Sequence, residues 1–160
     1  MSRLDAFISR MSAQRDILNY IRENDILPEK GAVLEIGLGN GRTYSHLRDL
    51  FPDRRIIAFD RQLGAHRTLL PEPEDFVMGD IRETVKNIVG TEAALAHADI
   101  GTGYPESDAV IVAWLPELIV GALARGGIAV SGLPLEHPQL VSLERLPSVE
   151  AGIYFYYQRR

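Results

Sequence analysis

A glycine-rich loop with the sequence EIGLGNG, residues 35–41, constrains this chain more than any other segment. It follows an apolar run at residues 32–34 and leads into a segment, residues 42–47, that is typical of a helix start. A strand, a tight glycine turn and a helix in this order form the entry to a nucleotide-type cofactor site. Glycine suits the turn because the backbone must approach a ligand closely and can take a positive φ. The loop therefore predicts an α/β domain with a binding site at the turn.

Two details of the loop favour a particular cofactor chemistry. The glycine spacing is GxGxG rather than the GxGxxG of dinucleotide sites. Glu35 lies directly ahead of the loop, where its carboxylate would repel a pyrophosphate. Both details suit a ligand that carries an ammonium and a sulfonium. The sequence has neither GxxxxGK[ST] nor GxSxG, which excludes a phosphate-cradling P-loop and a nucleophile elbow.

Composition limits the possible partners. A chain of 160 residues with 46% hydrophobic residues fits one domain with a real core. The net charge of -5 argues against nucleic acid or a membrane surface as a partner, because both need a basic footprint. The sequence has no cysteine and no apolar run of about 20 residues. We therefore expect a cytoplasmic protein without disulfides or a membrane-spanning segment.

The order of strand-like and helix-like segments predicts a parallel sheet covered on both faces. Residues 4–22 have helical spacing, strands are expected at 33–37, 55–60, 75–80, 94–99 and 128–132, and helices at 43–50, 81–89 and 106–125, with a break at Pro116. Residues 109–114 are an alternative for the fourth strand. Residues 140–146 and 153–157 predict an antiparallel hairpin. We expect one domain, residues 1–160, with a helical cap (1–30), a cofactor-binding core (31–132) and the hairpin (133–160).

Acidic side chains lie beside or at the ends of four successive strands: Glu35, Asp60, Asp80 and Asp99. In a parallel sheet the carboxyl ends share one edge, so these groups are expected to converge on one crevice. Asp60 follows the loop at the interval of a ribose-binding acid. Asp80 suits the exocyclic amine of an adenine, and Ile81 its ring face. Asp99 suits an ammonium, substrate orientation or a base, while helix capping is the competing interpretation for both Asp80 and Asp99.

Other candidates favour structural roles. His97 and Asp99 share one strand face, but a structural histidine is the preferred interpretation. A loop at residues 102–104 is equally an ordinary turn or a pocket wall, and a solvated helix face is preferred for Arg10, Gln14 and Arg15. The remaining histidines have no metal-ligand spacing, so no metal is expected. No catalytic residue is assigned, and the first to test are Asp99, His97 and Tyr104.

Several motifs together resemble those of one family. The segment LEIGLGNGRT looks like the first motif of the class I S-adenosylmethionine-dependent methyltransferases, FD at Phe59 and Asp60 like their ribose acid, and GDI at residues 79–81 like their adenine contact. The segment LARGGIAVSG is similar to their helix, double glycine and fifth strand. The resemblance implies a Rossmann-like class I methyltransferase fold, with a mostly parallel seven-stranded sheet and an antiparallel C-terminal hairpin. LGNGRTYSHLR and HADIGTG further resemble a small group of short bacterial methyltransferases.

The resemblance implies that S-adenosyl-L-methionine is the cofactor. Combined with the residue pattern, it predicts thirteen cofactor-binding residues: Glu35, Gly37, Leu38, Gly39, Asn40, Gly41, Thr43, Asp60, Arg61, Gly79, Asp80, Ile81 and Asp99. Members that methylate amino groups of DNA and protein carry an Asn-Pro-Pro-Tyr-like motif after the fourth strand. This chain has ADIGTGYP there instead, which argues against that substrate class.

The predicted function is S-adenosylmethionine-dependent methyl transfer to a small-molecule acceptor that the sequence does not identify. Two alternatives stay open at this point. One is a non-catalytic protein that senses the cofactor, and the other is a nicotinamide-dependent oxidoreductase, which the glycine spacing and Glu35 disfavour. A second copy of the chain is an expected partner that would complete the cover of a short domain.

Overall fold

The computed structural model describes residues 1–160, apart from the side chain of Val85. The described residues form four α-helices and seven strands, in the order α1 (Arg3–Glu23), β1 (Val33–Ile36), α2 (Arg42–Leu50), β2 (Ile56–Asp60), β3 (Phe76–Met78), α3 (Ile81–Thr84), β4 (Ala93–Ala98), α4 (Pro105–Ala122), β5 (Leu123–Ser131), β6 (Leu140–Ser142) and β7 (Phe155–Arg159). Short 3-10 turns cover Arg67–Leu69, Pro73–Asp75 and Val85–Ile88.

All seven strands join one sheet in the order β3-β2-β1-β4-β5-β7-β6. Strands β1 to β5 are parallel, and β7 lies antiparallel between β5 and β6. The predicted class I methyltransferase fold and its closing hairpin are therefore confirmed. The order reverses at β1 and β4, so the carboxyl ends of these two strands flank the crevice where open α/β sheets bind ligands.

Helices cover both faces of the sheet. Along β1 and β4 the side chains alternate between the faces, as the strand period of two requires. Val33 and Leu95 pack with α1 and α2 on one face. Leu34 and Ala96 pack with α4 on the other. The core therefore lies in two layers, and the central strands are buried from both sides.

The spacing of the N-terminal segment predicts one or two helices, and the structure has one. Ser2 and Asp5 form a capping box at its start, and Asn24 caps its end. The residues buried on its inner face include Ala13, Ile17 and Ile21. This apolar face packs α1 against the sheet, and the first three turns of the helix then lie near the glycine loop.

Two predictions around α4 are wrong. Pro116 does not break the helix, since α4 runs through it with Leu115 and Ile119 buried on the sheet. The helix also stops at Ala122 rather than at Arg125, because Leu123 already pairs with Ala93 of β4. The double glycine therefore lies inside β5. The pairing of β5 with β4 is irregular there, and Gly126 has a φ of +81°. Residues 109–114 belong to α4, so the preferred fourth strand is correct.

None of the helices in the described part of the chain is long and apolar enough to cross a membrane.

Candidate functional site

A cavity of about 540 Å³ lies at the carboxyl ends of the central strands. Helix α1 contributes Phe7, Arg10 and Met11 to its wall, and α4 contributes Ile111 and Trp114. Ten of the thirteen residues predicted to bind the cofactor line it: Gly37, Leu38, Gly39, Asn40, Thr43, Asp60, Arg61, Asp80, Ile81 and Asp99. The topology thus brings together the glycine loop and three of the four strand-end acids. The predicted convergence is wrong for Glu35, whose side chain is buried within the sheet layer instead.

The other three predicted residues lie behind this wall. Gly41 is the N-cap of α2, and a Cβ there would meet Leu69 at 3.0 Å. A Cβ at Gly79 would meet the Thr84 side chain at 2.8 Å. Glu35 is fully buried under the helices of the first face. These residues shape the loops around the cavity but are not among those that line it.

Asp60 holds the glycine loop through its carboxylate. One oxygen accepts a hydrogen bond from the backbone N–H of Gly39 at 2.8 Å, and the other accepts from the N–H of Arg61 at 2.7 Å. A carboxylate has about four lone-pair sites, so each oxygen can accept a further hydrogen bond. The acid is therefore preorganised at the cavity and still able to bind hydroxyl groups.

Asp80 caps a helix and also lines the cavity. Its Oδ1 accepts from the backbone N–H of Arg82 at 2.9 Å, which is a cap of the short helix α3. Its Oδ2 lies 3.4 Å from the guanidinium of Arg61, and the residue lines the cavity. The cap fixes the direction of the carboxylate at the wall.

Asp99 is held by the N-terminal helix. Arg10 forms an ion pair with its Oδ1, and the side-chain amide of Gln14 donates to its Oδ2 at 3.3 Å. The solvated-face interpretation is therefore wrong for Arg10 and Gln14. It is correct for Arg15, which is exposed and pairs with its half-buried neighbour Asp16.

A buried ion pair joins β1 to β4 behind the cavity. Glu35 and His97 are register partners, and Nδ1 of His97 lies 2.6 Å from Oε1 of Glu35. The other ring nitrogen, Nε2, lies 2.5 Å from the hydroxyl of Tyr154. The structural interpretation of His97 agrees with these contacts, but its carboxylate partner is Glu35 rather than Asp99. Oε2 of Glu35 has no hydrogen-bond partner among the described residues.

Burial and charge shift the protonation of this pair. Burial raises the pKa of Glu35 above its ordinary value, and the neighbouring imidazole only partly opposes this. Burial alone would lower the pKa of His97, but the Glu35 carboxylate raises it, and the net direction is upward. The folded pair therefore keeps its proton to a higher pH than the unfolded chain does.

Aromatic side chains at the cavity were missed from the sequence. The guanidinium of Arg42 lies 5.8 Å from the ring centre of Phe7, and that of Arg82 lies 5.5 Å from the ring centre of Trp114. The sequence signal that could have placed Phe7 at a site was helical spacing, because residues 7, 10, 11 and 14 lie on one face of α1. That spacing predicts a buried face without saying which loop it meets.

The loop after β4 is both a pocket wall and an ordinary turn. Thr102 lines the cavity, and its backbone N–H and its hydroxyl both donate to the carboxylate of Asp108, at 2.7 and 2.8 Å. Tyr104 is 72% exposed and is not among the residues that line the cavity. Within the described residues, no group of three or more acidic or histidine side chains is arranged to hold a metal ion.

Replacing Gly37 by alanine is expected to destabilise the fold more than the same change at Gly90. Both glycines have φ close to +90°, so both variants share a backbone cost of about 1–2 kcal/mol. Only at Gly37 would the new Cβ also meet Ile100 at 2.7 Å and the carbonyl oxygen of Asp99 at 3.1 Å, whereas at Gly90 no atom lies within 4 Å. Urea unfolding measures the difference, and equal losses in the two variants would contradict the proposed steric contact.

The comparisons with known proteins match this geometry. The pattern of a family described as S-adenosyl-L-methionine methyltransferase matches residues 1–159. The chain is 37% identical to an S-adenosyl-L-methionine methyl transferase from Silicibacter pomeroyi DSS-3 whose crystal structure is known, with 99% of each chain covered and a TM-score of 0.89. No curated protein matches the chain.

More distant structures share the fold. The S-adenosylhomocysteine-bound Podospora anserina methyltransferase PaMTH1 is 14% identical, with 100% of this chain and 80% of that chain covered and a TM-score of 0.63. Human methyltransferase-like protein 13, also in complex with S-adenosylhomocysteine, is 14% identical, with 94% and 81% covered and a TM-score of 0.57. From its matched sequence and its sheet, the chain belongs to the S-adenosyl-L-methionine methyltransferase family and uses that cofactor as a methyltransferase.

Proposed function

We propose that this enzyme transfers the methyl group of S-adenosyl-L-methionine to a small-molecule acceptor bound in the cavity at the carboxyl edge of the sheet. The size and lining of the cavity carry this proposal. Its volume of about 540 Å³ falls within the range of about 300–1,000 Å³ that is usual for small-ligand sites. Cofactor and acceptor must share this space, which favours a compact acceptor.

The residues of the cavity fit the cofactor. Its ribose hydroxyls require acceptors, and Asp60 retains free lone pairs on both oxygens. Gly39 lines the cavity with no protein atom within 4 Å of where a Cβ would be, so the backbone leaves room for close approach. We infer that Asp60 holds the ribose, Asp80 and Ile81 the adenine, and the glycine loop the methionine part. When bound, the cofactor supplies a methyl group already activated on a sulfonium.

The protein's own task is then positioning and exclusion of water. Apolar side chains from three segments meet at the cavity: Met11 of α1, Ile100 after β4, and Ile111 of α4. We infer that residues 1–30 act as a cap, because α1 reaches over the loop and contacts the acid at the end of β4.

Proton transfer is required only for acceptors that lose a proton. Asp99 is the acid to test for this role, because its side chain is 20% exposed and lines the cavity. Its carboxylate can hold a cationic amine or accept a proton. His97 is fully buried and is proposed to act only in support.

We propose further that the acceptor is neither nucleic acid nor a membrane lipid, since the chain carries a net charge of -5. A second copy of the chain is proposed as an additional part of the cover. The net charge supports the first statement, and the shortness of the cap supports the second.

The first measurement is thermal unfolding with S-adenosylhomocysteine or NAD. We expect the melting temperature to rise with S-adenosylhomocysteine only, because a ligand that binds only the folded state stabilises it. Formation of S-adenosylhomocysteine from S-adenosyl-L-methionine is then measured with small thiols, alcohols, amines and carboxylates, and with a tRNA and a protein mixture. Turnover only with the macromolecules would contradict the small-molecule proposal.

A further inference from the structure

Gln14 is a polar side chain buried under α1, with only 5% of its surface exposed. Each of its polar atoms has a partner from a different part of the chain. Nε2 donates to the hydroxyl of Tyr154 at 2.9 Å and to Oδ2 of Asp99 at 3.3 Å, and Oε1 accepts from the hydroxyl of Thr43. One amide therefore ties α1 to the end of β4, to the start of α2 and to the segment just before β7.

The chemistry of these partners requires an amide. A carboxylate only accepts hydrogen bonds, so the group that faces Asp99 must be a donor. The group that faces the hydroxyl of Thr43 is an acceptor in the same planar unit. A glutamate in this position would turn an acceptor toward Asp99 and bring two negative charges together.

On the side away from the cavity, Gln14 joins a polar chain, meaning a series of hydrogen-bonded polar side chains in the core. Its partner Tyr154 contacts Nε2 of His97, which in turn contacts Glu35 of β1. Burial raises the pKa of Tyr154 well above its ordinary value, so the phenol stays protonated and keeps its hydrogen bonds. The amide is thus linked through Tyr154 to the central strands β4 and β1.

The near side of Gln14 reaches the cavity. Asp99 and Thr43 both line it, whereas Gln14 is not among the lining residues. With Arg10 on Oδ1 and Gln14 on Oδ2, both oxygens of the Asp99 carboxylate have a fixed direction. A bound ligand would meet an acid and a hydroxyl that are already oriented, which lowers the cost of ordering them.

We propose that Gln14 is a positioning residue that orients Asp99 and Thr43 for the cofactor and holds α1 closed over the cavity. The inference rests on the proposed use of this cavity for the cofactor. It assigns to the N-terminal helix a part in binding that does not require the helix to touch the reacting atoms.

The test is the affinity for S-adenosylhomocysteine, measured by calorimetry at about pH 5.5 and about pH 8.5. Gln14→Glu is expected to weaken binding about tenfold or more at the higher pH, the effect of one lost charge-assisted hydrogen bond. Lower pH favours the protonated form of the new carboxyl, because a second negative charge beside Asp99 is unfavourable, and the protonated form can donate again. Relative to the wild type at the same pH, most of the affinity should then return.

Gln14→Leu keeps the volume but has no donor, so it should weaken binding equally at both pH values. Arg15→Gln, one residue along on the exposed side of α1, is the matched control and should bind as the wild type does. Urea unfolding without ligand shows whether each variant is folded.

The pH-dependent recovery separates positioning from a merely structural role. A loss of the same size at both pH values in Gln14→Glu, or no loss in either Gln14 variant, overturns this inference while the proposed function stands. Failure of the wild-type chain to bind S-adenosylhomocysteine overturns the proposed function and this inference with it.

Discussion

Replacing Asp60 by alanine is expected to weaken the binding of S-adenosylhomocysteine about 100-fold. The carboxylate orients the glycine loop through the N–H of Gly39 and is proposed to accept the ribose hydroxyls. Hydrogen bonds to a charged group contribute about 1.5–3 kcal/mol each, and about 2.7 kcal/mol corresponds to a factor of 100. Calorimetric titration measures the dissociation constant directly.

Two further variants serve as a graded comparison and as a control for Asp60→Ala. Asp60→Asn keeps one accepting oxygen and should lose affinity by an intermediate amount. Asp75→Ala removes another aspartate, whose Oδ1 lies 2.6 Å from Nε of Arg55. Neither residue of this pair lines the cavity, so the variant should leave the affinity unchanged. An Asp60→Ala protein that is folded and binds as tightly as the wild type would show that the acid at the end of β2 does not hold the ligand.

Replacing His97 by leucine is expected to destabilise the fold severely, and by more than alanine at Gly37 does. The variant leaves the Glu35 carboxylate buried without its partner, and Oε2 already has none among the described residues. Removing one member of a buried ion pair costs about 3–5 kcal/mol. Urea unfolding at neutral pH measures this loss.

The double variant Glu35→Leu, His97→Leu is the matching control. An apolar pair of similar volume avoids the desolvation of both charges, so it should recover most of the stability lost in His97→Leu. If the double variant is instead less stable than the wild type by the sum of the losses measured in Glu35→Leu and in His97→Leu, the ion pair is not the source of the effect.

The same pair predicts how stability depends on pH. The pKa of His97 is raised on folding from its ordinary value of 6.5, so the folded state binds the proton more tightly. This contribution is fully present below about pH 6.5 and is lost as the pH rises through the higher folded pKa. The raised pKa of Glu35 acts in the same direction. The wild type should therefore lose more stability than the double variant between about pH 6 and pH 9.

The fold could be predicted because its signals are local. Short apolar strands alternate with helices, and acids stand where the strands end. Both patterns can be recognised from residues that are close together in the sequence. The boundary between α4 and β5 could not be found this way. Residues 123–125 are good helix formers, but pairing of Leu123 with Ala93 draws them into the sheet. A contact between distant residues decides the outcome against local propensity.

The candidate site divides in the same way. The glycine loop and Asp60 are marked by motif and spacing, so the sequence reveals them. The contacts of Glu35 with His97, and of Arg10 with Asp99, depend on strand register and on how α1 lies across the sheet. Helical spacing alone indicated that α1 has a buried face, and the partner of that face became known only from the three-dimensional arrangement.

The polar chain that supports the cavity begins in the first helix and is completed by Tyr154, immediately before the last strand. During translation, Gln14 and His97 leave the ribosome long before the phenol that joins them. A nascent chain that ends before Tyr154 therefore lacks one of the side chains that hold its N-terminal helix in place. We expect such a chain to acquire affinity for its cofactor only when the final strand enters the sheet, late in synthesis.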